Sequence, residues 1–224
     1  TTFMDAKQKS MMVCVSHDAG SGKTSGSKAF YQRYKKKKVY YIHCWQWTEK
    51  QFLMELCKSL GIDANSRAQT THELMSTIIQ FFLIRATARP LLIIDQANSL
   101  KASALRTLIA LYNGTEDRLG IVILGTENLA KEIKNGVRYN KNGYDEIDSR
   151  LGRQYIQLYG ATKKDVGKIC RANGLADTSI INSIFSECEP KEVAVGNQFP
   201  KMVTDMRRLK RVIQGELLNR SVTV

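Results

Sequence analysis

M-V-C-V-S-H-D-A-G-S-G-K-T-S, residues 12–25, runs from an apolar strand pattern through a glycine-bearing turn into the start of a helical stretch. Gly20 and Gly22 carry no Cβ, so the backbone there can curl and aim successive N–H groups at an anion. A helix opening near Lys23 adds the positive end of its dipole. Lys23 is spaced to reach the β- and γ-phosphates of a nucleotide, and the Thr24 hydroxyl to ligate Mg²⁺. Asp18, Ala19, Ser21 and Ser25 complete the turn and its rim. The match to G-x-x-x-x-G-K-[ST] is incomplete, because His17 stands where the first glycine belongs.

Such a cradle needs a carboxylate at the end of a second buried strand, and L-L-I-I-D-Q, residues 91–96, supplies one. By itself that segment reads as a buried parallel strand whose aspartate caps the next helix. With the glycine turn upstream, Asp95 becomes the group that holds Mg²⁺ through water. Gln96 occupies the position where a glutamate would polarise the attacking water. An amide can orient a water but cannot accept its proton, so binding should survive while hydrolysis is slow.

The chain has 224 residues, 43% of them hydrophobic and only three prolines, which suits one globular domain or a large and a small one. Its 34 lysines and arginines against 21 acidic residues give a net charge of +13, favouring a polyanionic partner. Five cysteines (Cys14, Cys44, Cys57, Cys170 and Cys188) show no paired spacing and read as reduced core residues of a cytoplasmic protein without a zinc site. The densest apolar run, Ile78 to Ile84, is interrupted by Gln80 and far too short to span a bilayer, so neither a membrane span nor a signal peptide is expected. Because the chain opens at Thr1, we expect residues upstream, with room for a further N-terminal domain.

Strand patterns fall at residues 11–15, 39–43, 91–95, 121–125 and 155–158, with helical patterns between them, which predicts a parallel sheet covered by helices. Helices are expected at 23–34, at 48–60 with a T-E-K-Q capping box and a stop at Gly61, at 72–84 and at 101–112. From Gly160 the strands are expected to cease. Residues 162–173, 178–186 and 201–218 read as three helices of a small all-α appendage, dividing the chain into 1–159 and 160–224.

After the fourth strand, I-L-G-T-E-N places Thr126 and Asn128 where a polar side chain could sense the γ-phosphate, Thr126 being the better placed. Each could equally cap the turn. S-R-L-G-R offers Arg150 and Arg153 before the fifth strand, where an arginine can reach a neighbouring subunit's nucleotide. We assign that finger role to Arg150, with Arg153 as the rival. Arg207, in D-M-R-R-L, is placed to fold back over the nucleotide from the last helix.

Taken in order, these motifs resemble the AAA+ ATPases, a P-loop NTPase class with a three-layer parallel-sheet core and a small C-terminal helical lid. Within it they resemble the branch of DNA-transposition regulators, the Mu B-like and transposon target-selection ATPases. It is carried by S-H-D-A-G-S-G-K-T, V-Y-Y-I-H-C-W-Q-W-T-E-K, L-L-I-I-D-Q-A-N-S-L, I-L-G-T-E-N-L, S-R-L-G-R and D-M-R-R-L. The resemblance implies ATP and Mg²⁺ as cofactors and a ring or helical filament of identical subunits on double-stranded DNA that recruits a transposase, with no membrane involved. It also implies that the segment after the second strand faces DNA, making Thr48, Lys50 and Lys58 backbone contacts, with Trp45 and Trp47 packed in the core or a subunit interface. Three readings compete: a replication initiator or helicase loader of the same superfamily, a P-loop small-molecule kinase, and a non-catalytic nucleotide-binding scaffold, which Gln96 would permit.

Overall fold

A computed structural model describes residues 2–63 and 69–222. Its five main strands, β1 (Met12–Ser16), β2 (Val39–His43), β3 (Leu91–Asp95), β4 (Gly120–Gly125) and β5 (Tyr155–Ile156), form one sheet in the order β2-β3-β4-β1-β5, every pairing parallel. The apolar runs dictate this, since alternate residues of a strand face opposite sides and here both sides are covered. Met12, Cys14, Leu92, Ile94, Ile121 and Ile123 join one core cluster. Leu91, Ile93, Val122 and Leu124 point the other way and are equally buried.

Helices fill the connections: α1 (Thr2–Lys9), α2 (Lys23–Tyr34), α3 (Glu49–Leu60), α4 (Thr71–Leu83), α5 (Ala102–Gly114), α6 (Glu127–Arg138) and α7 (Tyr144–Arg150). The start and stop of α3 follow from its sequence. Thr48 and Gln51 form a reciprocal capping box, and Gly61, at φ 71°, ends the helix in a left-handed turn. Phe52, Leu53, Leu56, Cys57 and Leu60 recur at helical spacing and are buried. All five cysteines are free and buried, as their composition suggested. No helix among the described residues is long and apolar enough to cross a membrane.

The chain divides into two compact units, one comprising Thr1–His17 and Lys23–Ile156, the other Asp18–Gly22 and Gln157–Val224. The second contains α8 (Lys163–Ala172), α9 (Thr178–Glu187) and α10 (Met206–Val222) around a core of Val166, Cys170, Leu175, Ile181, Ile184, Val203, Leu209 and Ile213. Strands do not cease after Gly160, however. β6 (Ala161–Thr162), β7 (Lys191–Glu192) and β8 (Lys201–Val203) form a small antiparallel sheet in the order β6-β8-β7. Residues 201–203 are therefore strand, and the last helix starts at Met206, where Asp205 Oδ1 accepts the backbone N–H groups of Arg207 (2.8 Å) and Arg208 (3.2 Å).

Candidate nucleotide site

In a parallel sheet the carboxyl ends of all strands share one edge, and ligands bind there. Asp95 closes β3 at that edge and is only 2% exposed. Its Oδ2 accepts the Tyr41 hydroxyl at 2.7 Å and lies 3.2 Å from His43 Nδ1, while its Oδ1 accepts the Gln96 backbone N–H at 2.9 Å. This clustering is a matter of register. Tyr41 pairs with Ile93 and His43 with Asp95, so the alternating side chains 41, 43, 93 and 95 share one face. Burial, followed by the hydrogen bond to Asp95 and that carboxylate's charge, holds the Tyr41 phenol well above its ordinary pKa, so it remains a donor. Ser27, one turn into α2, lies beside the Tyr41 hydroxyl and donates to the Thr24 carbonyl at 3.0 Å. Hydroxyl groups thus connect the start of α2 to the end of β3.

Lys23 and Thr24 are the first residues of α2, and Lys23 Nζ donates to the His17 carbonyl at 2.7 Å. Ser25 is exposed, as is Gln96, whose backbone is left-handed at φ 58°. Thr126 N-caps α6 at the end of β4, its N–H donating to Asn98 Oδ1 at 3.0 Å and its carbonyl accepting Ser16 Oγ at 2.8 Å. The Thr126 backbone is fully engaged. Its Oγ1 is buried with no hydrogen-bond partner, and so is His17 Nδ1. A buried orphan hydroxyl costs about 1–3 kcal/mol and calls for an explanation, which a γ-phosphate oxygen or its attacking water would provide. Asn128, by contrast, lies exposed on the first turn of α6.

The turn residues Asp18, Ala19, Gly20, Ser21 and Gly22 group with the smaller unit. Gly20 (φ 89°) and Gly22 (φ 86°) adopt conformations that only glycine takes without strain. A Cβ on Gly20 would lie 2.7 Å from Asp205 Oδ1, and the Gly20 carbonyl accepts the Met206 N–H at 2.9 Å. The glycine therefore serves close backbone approach as well as curvature. Arg207 is exposed in the first turn of α10.

The remaining predicted residues make contacts of their own. Arg150 is tied within its own chain, its Nε donating to Asn113 Oδ1 at 3.1 Å and its Nη2 lying 3.5 Å from Glu146 Oε1, with the guanidinium 5.6 Å from the Tyr112 ring centre. Arg153 is exposed, in a left-handed conformation, 3.4 Å from Asp145 Oδ1. Both are partly solvated pairs that cost little to break. Thr48 spends its hydroxyl on the α3 cap, Lys50 is partly exposed, and Lys58 is exposed 3.7 Å from Glu55. Trp47 packs against the core, whereas Trp45 is 67% exposed and so has no place in it. Tyr41, His43, Ser27 and Asn98 were not foreseen from the sequence. Only the period-2 pattern of V-Y-Y-I-H could have signalled the first two, and only with the strand register known.

Residues 6–133 match the family model described as an AAA domain, and the chain belongs to that family. A comparison with curated proteins finds no match. Among solved structures it is similar to Cdc6p from Pyrobaculum aerophilum (21% identity, TM-score 0.58, covering 90% of this chain and 52% of that one). It is likewise similar to the Aeropyrum pernix ORC2 protein (12%, TM-score 0.61, 95% and 57%). A third is the Aeropyrum pernix ORC1 protein in complex with DNA (13%, TM-score 0.57, 94% and 55%). The chain spans little more than half the length of these three, and at such identities the likeness is one of fold.

Proposed function

We propose that the protein is a nucleotide-gated switch that binds ATP and Mg²⁺ at the carboxyl edge of its sheet and assembles on double-stranded DNA when ATP is bound. Residues 1–159 form its nucleotide-binding domain and 160–224 its lid. The observation that carries the reading is the orphaned Thr126 Oγ1 at the same strand edge as the buried, hydrogen-bonded Asp95. In this reading the 18–22 turn and the α2 N-terminus cradle the phosphates and Lys23 leaves the His17 carbonyl to meet them. Thr24 and Asp95 would hold Mg²⁺, which would supply positive charge to screen the phosphates. Arg207 closes from the lid. Arg150, released from Glu146 and Asn113, serves a neighbouring subunit's nucleotide. Gln96 orients water without accepting its proton, so turnover is slow.

Net charge of +13 supports a polyanionic partner, and the α3 N-terminus with Lys50 and Lys58 supplies backbone contacts that read no sequence. What the assembly recruits follows from which relatives it resembles. The sequence motifs favour a transposase, at a DNA target. The fold likeness to Cdc6p and the ORC proteins favours the second reading, a replication initiator that recruits a helicase.

The test is steady-state ATP hydrolysis by the wild-type protein and Gln96→Glu, with and without duplex DNA. A carboxylate at position 96 should raise DNA-stimulated turnover by about tenfold or more. No gain would contradict the water-positioning role and favour a nucleotide-binding scaffold.

A further inference from the structure

Parallel strands that end together also begin together, and at the beginning edge of this sheet the chain gathers cations. Lys9 closes α1 ahead of β1, Lys35–Lys38 run directly into β2, and Arg89 stands two residues ahead of β3. Backbone and side-chain hydrogen bonds join these segments. Lys7 Nζ donates to the carbonyls of Ala88 (2.8 Å) and Arg89, Arg89 Nη1 donates to the Gln8 carbonyl (2.6 Å), and the Leu91 N–H donates to the Lys38 carbonyl (3.0 Å). Lys7 itself is 8% exposed and acts as a clamp. Burial, then the nearby charges of Arg89 and Lys37, lower its pKa, which shows how closely the cations crowd.

Lys9, Arg33, Lys35, Lys36, Lys37, Lys38 and Arg89 are all exposed, and none forms an ion pair among the described residues. The acids in the segments that lead into β1 and β4 are Asp5, Glu116 and Asp117, and those ahead of β5, at the far side of the sheet from β2, are Asp145, Glu146 and Asp148. Lys38 (φ 59°) and Arg89 (φ 46°) both close a short 3-10 turn in the left-handed region, where glycine would sit without strain. A self-repelling group of exposed cations, two of them held in place by left-handed backbone, is an arrangement whose mutual repulsion a phosphate chain would relieve.

We infer that this edge is a second polyanion-binding surface, which grips the phosphate backbone of duplex nucleic acid without reading bases and without needing bound ATP. It goes beyond the nucleotide-gated reading, because β2 separates it from the α3 N-terminus by about 16 Å and the two engage different stretches of duplex. The exposed apolar side chains nearby in sequence, Met11, Leu83 and Ile84, are too few to form the inserting face of a membrane-surface helix, so a nucleic acid is favoured over anionic lipid.

The test is fluorescence anisotropy of a labelled mixed-sequence duplex with nucleotide-free protein over a range of salt. Replacing Lys35, Lys36, Lys37 and Lys38 by Glu should weaken binding by about tenfold or more and flatten the salt dependence. Replacing Lys163, Lys164, Lys191 and Lys210 by Glu, the same charge change in the other unit, should cost at most about a third of that loss on a logarithmic scale. Lys38→Gly guards against misfolding: it should keep or raise Tm while lowering affinity. Equal losses in the two quadruple variants, unchanged binding in the first, or binding to phosphatidylserine vesicles in preference to duplex would each overturn the proposal. None of these readouts depends on Lys23 or on ATP, so failure here is separable from failure of the nucleotide-gated reading.

Discussion

Asp95 shows how far the aim of a buried carboxylate is set by residues that no motif contains. With Tyr41 and His43 on one oxygen and the Gln96 N–H on the other, the carboxylate is aimed before any ligand arrives. Tyr41→Phe should therefore raise the Mg²⁺ concentration needed for half-maximal binding of a fluorescent ATP analogue by about tenfold, with Mg²⁺-free binding unchanged. An unaltered Mg²⁺ requirement would remove Tyr41 from the site. Thr126 makes a complementary case. Because its hydroxyl has no partner, Thr126→Val should leave the Tm unchanged or slightly higher while cutting ATP turnover by about tenfold or more. A less stable protein with normal turnover would make Thr126 a structural cap and nothing else. The places of Lys23, Thr24, Asp95 and Thr126 at helix starts and strand ends were legible in the sequence because each sits at a fixed offset from an apolar strand. Tyr41 and Ser27 were not, since their contacts arise from pairing between strands and from packing of α2.

At the scale of elements, sequence reading succeeded where one residue type does one physical job. Val39–His43 and Leu91–Asp95 are uninterrupted runs of strand formers, and α3 is bracketed by a capping box and a glycine stop. It missed α1, a short polar helix, it placed no helix at α6 or α7, where Thr126, Asn128, Arg150 and Arg153 were read only as single polar positions, and it missed β6, β7 and β8, which are two or three residues long and whose pairings lie far apart in sequence. Nor could it foresee that the glycine turn packs with residues near 205. The α6–α7 hairpin depends on a close approach of another kind. Gly136 is buried in α6 against the Tyr144 ring, and a Cβ there would overlap the ring carbons. Gly136→Ala should cost about 1–3 kcal/mol by overpacking, visible as a lower Tm in thermal unfolding. An unchanged Tm would show that Tyr144 can swing aside.

Across the whole molecule, function rests on where charge and reactivity are exposed. The five thiols are all buried, and burial pushes Cys14 and Cys44 up to about 12, with the Asp95 charge adding to the effect at Cys44. Native protein at neutral pH should react negligibly with a disulfide reagent that titrates five thiols after denaturation. Rapid modification of one or more in the native state would contradict the packing of both cores. The cations that lead into β1, β2 and β3, by contrast, face outward, with Lys7 the buried exception. The most direct test of the central claim is sedimentation velocity with duplex DNA, at salt high enough to suppress nucleotide-free contact, comparing wild type with and without ATP–Mg²⁺ against Lys23→Ala with it. The account predicts large protein–DNA assemblies in the wild type with ATP–Mg²⁺ alone. Assemblies of the same size without nucleotide, or undiminished in Lys23→Ala, would contradict it.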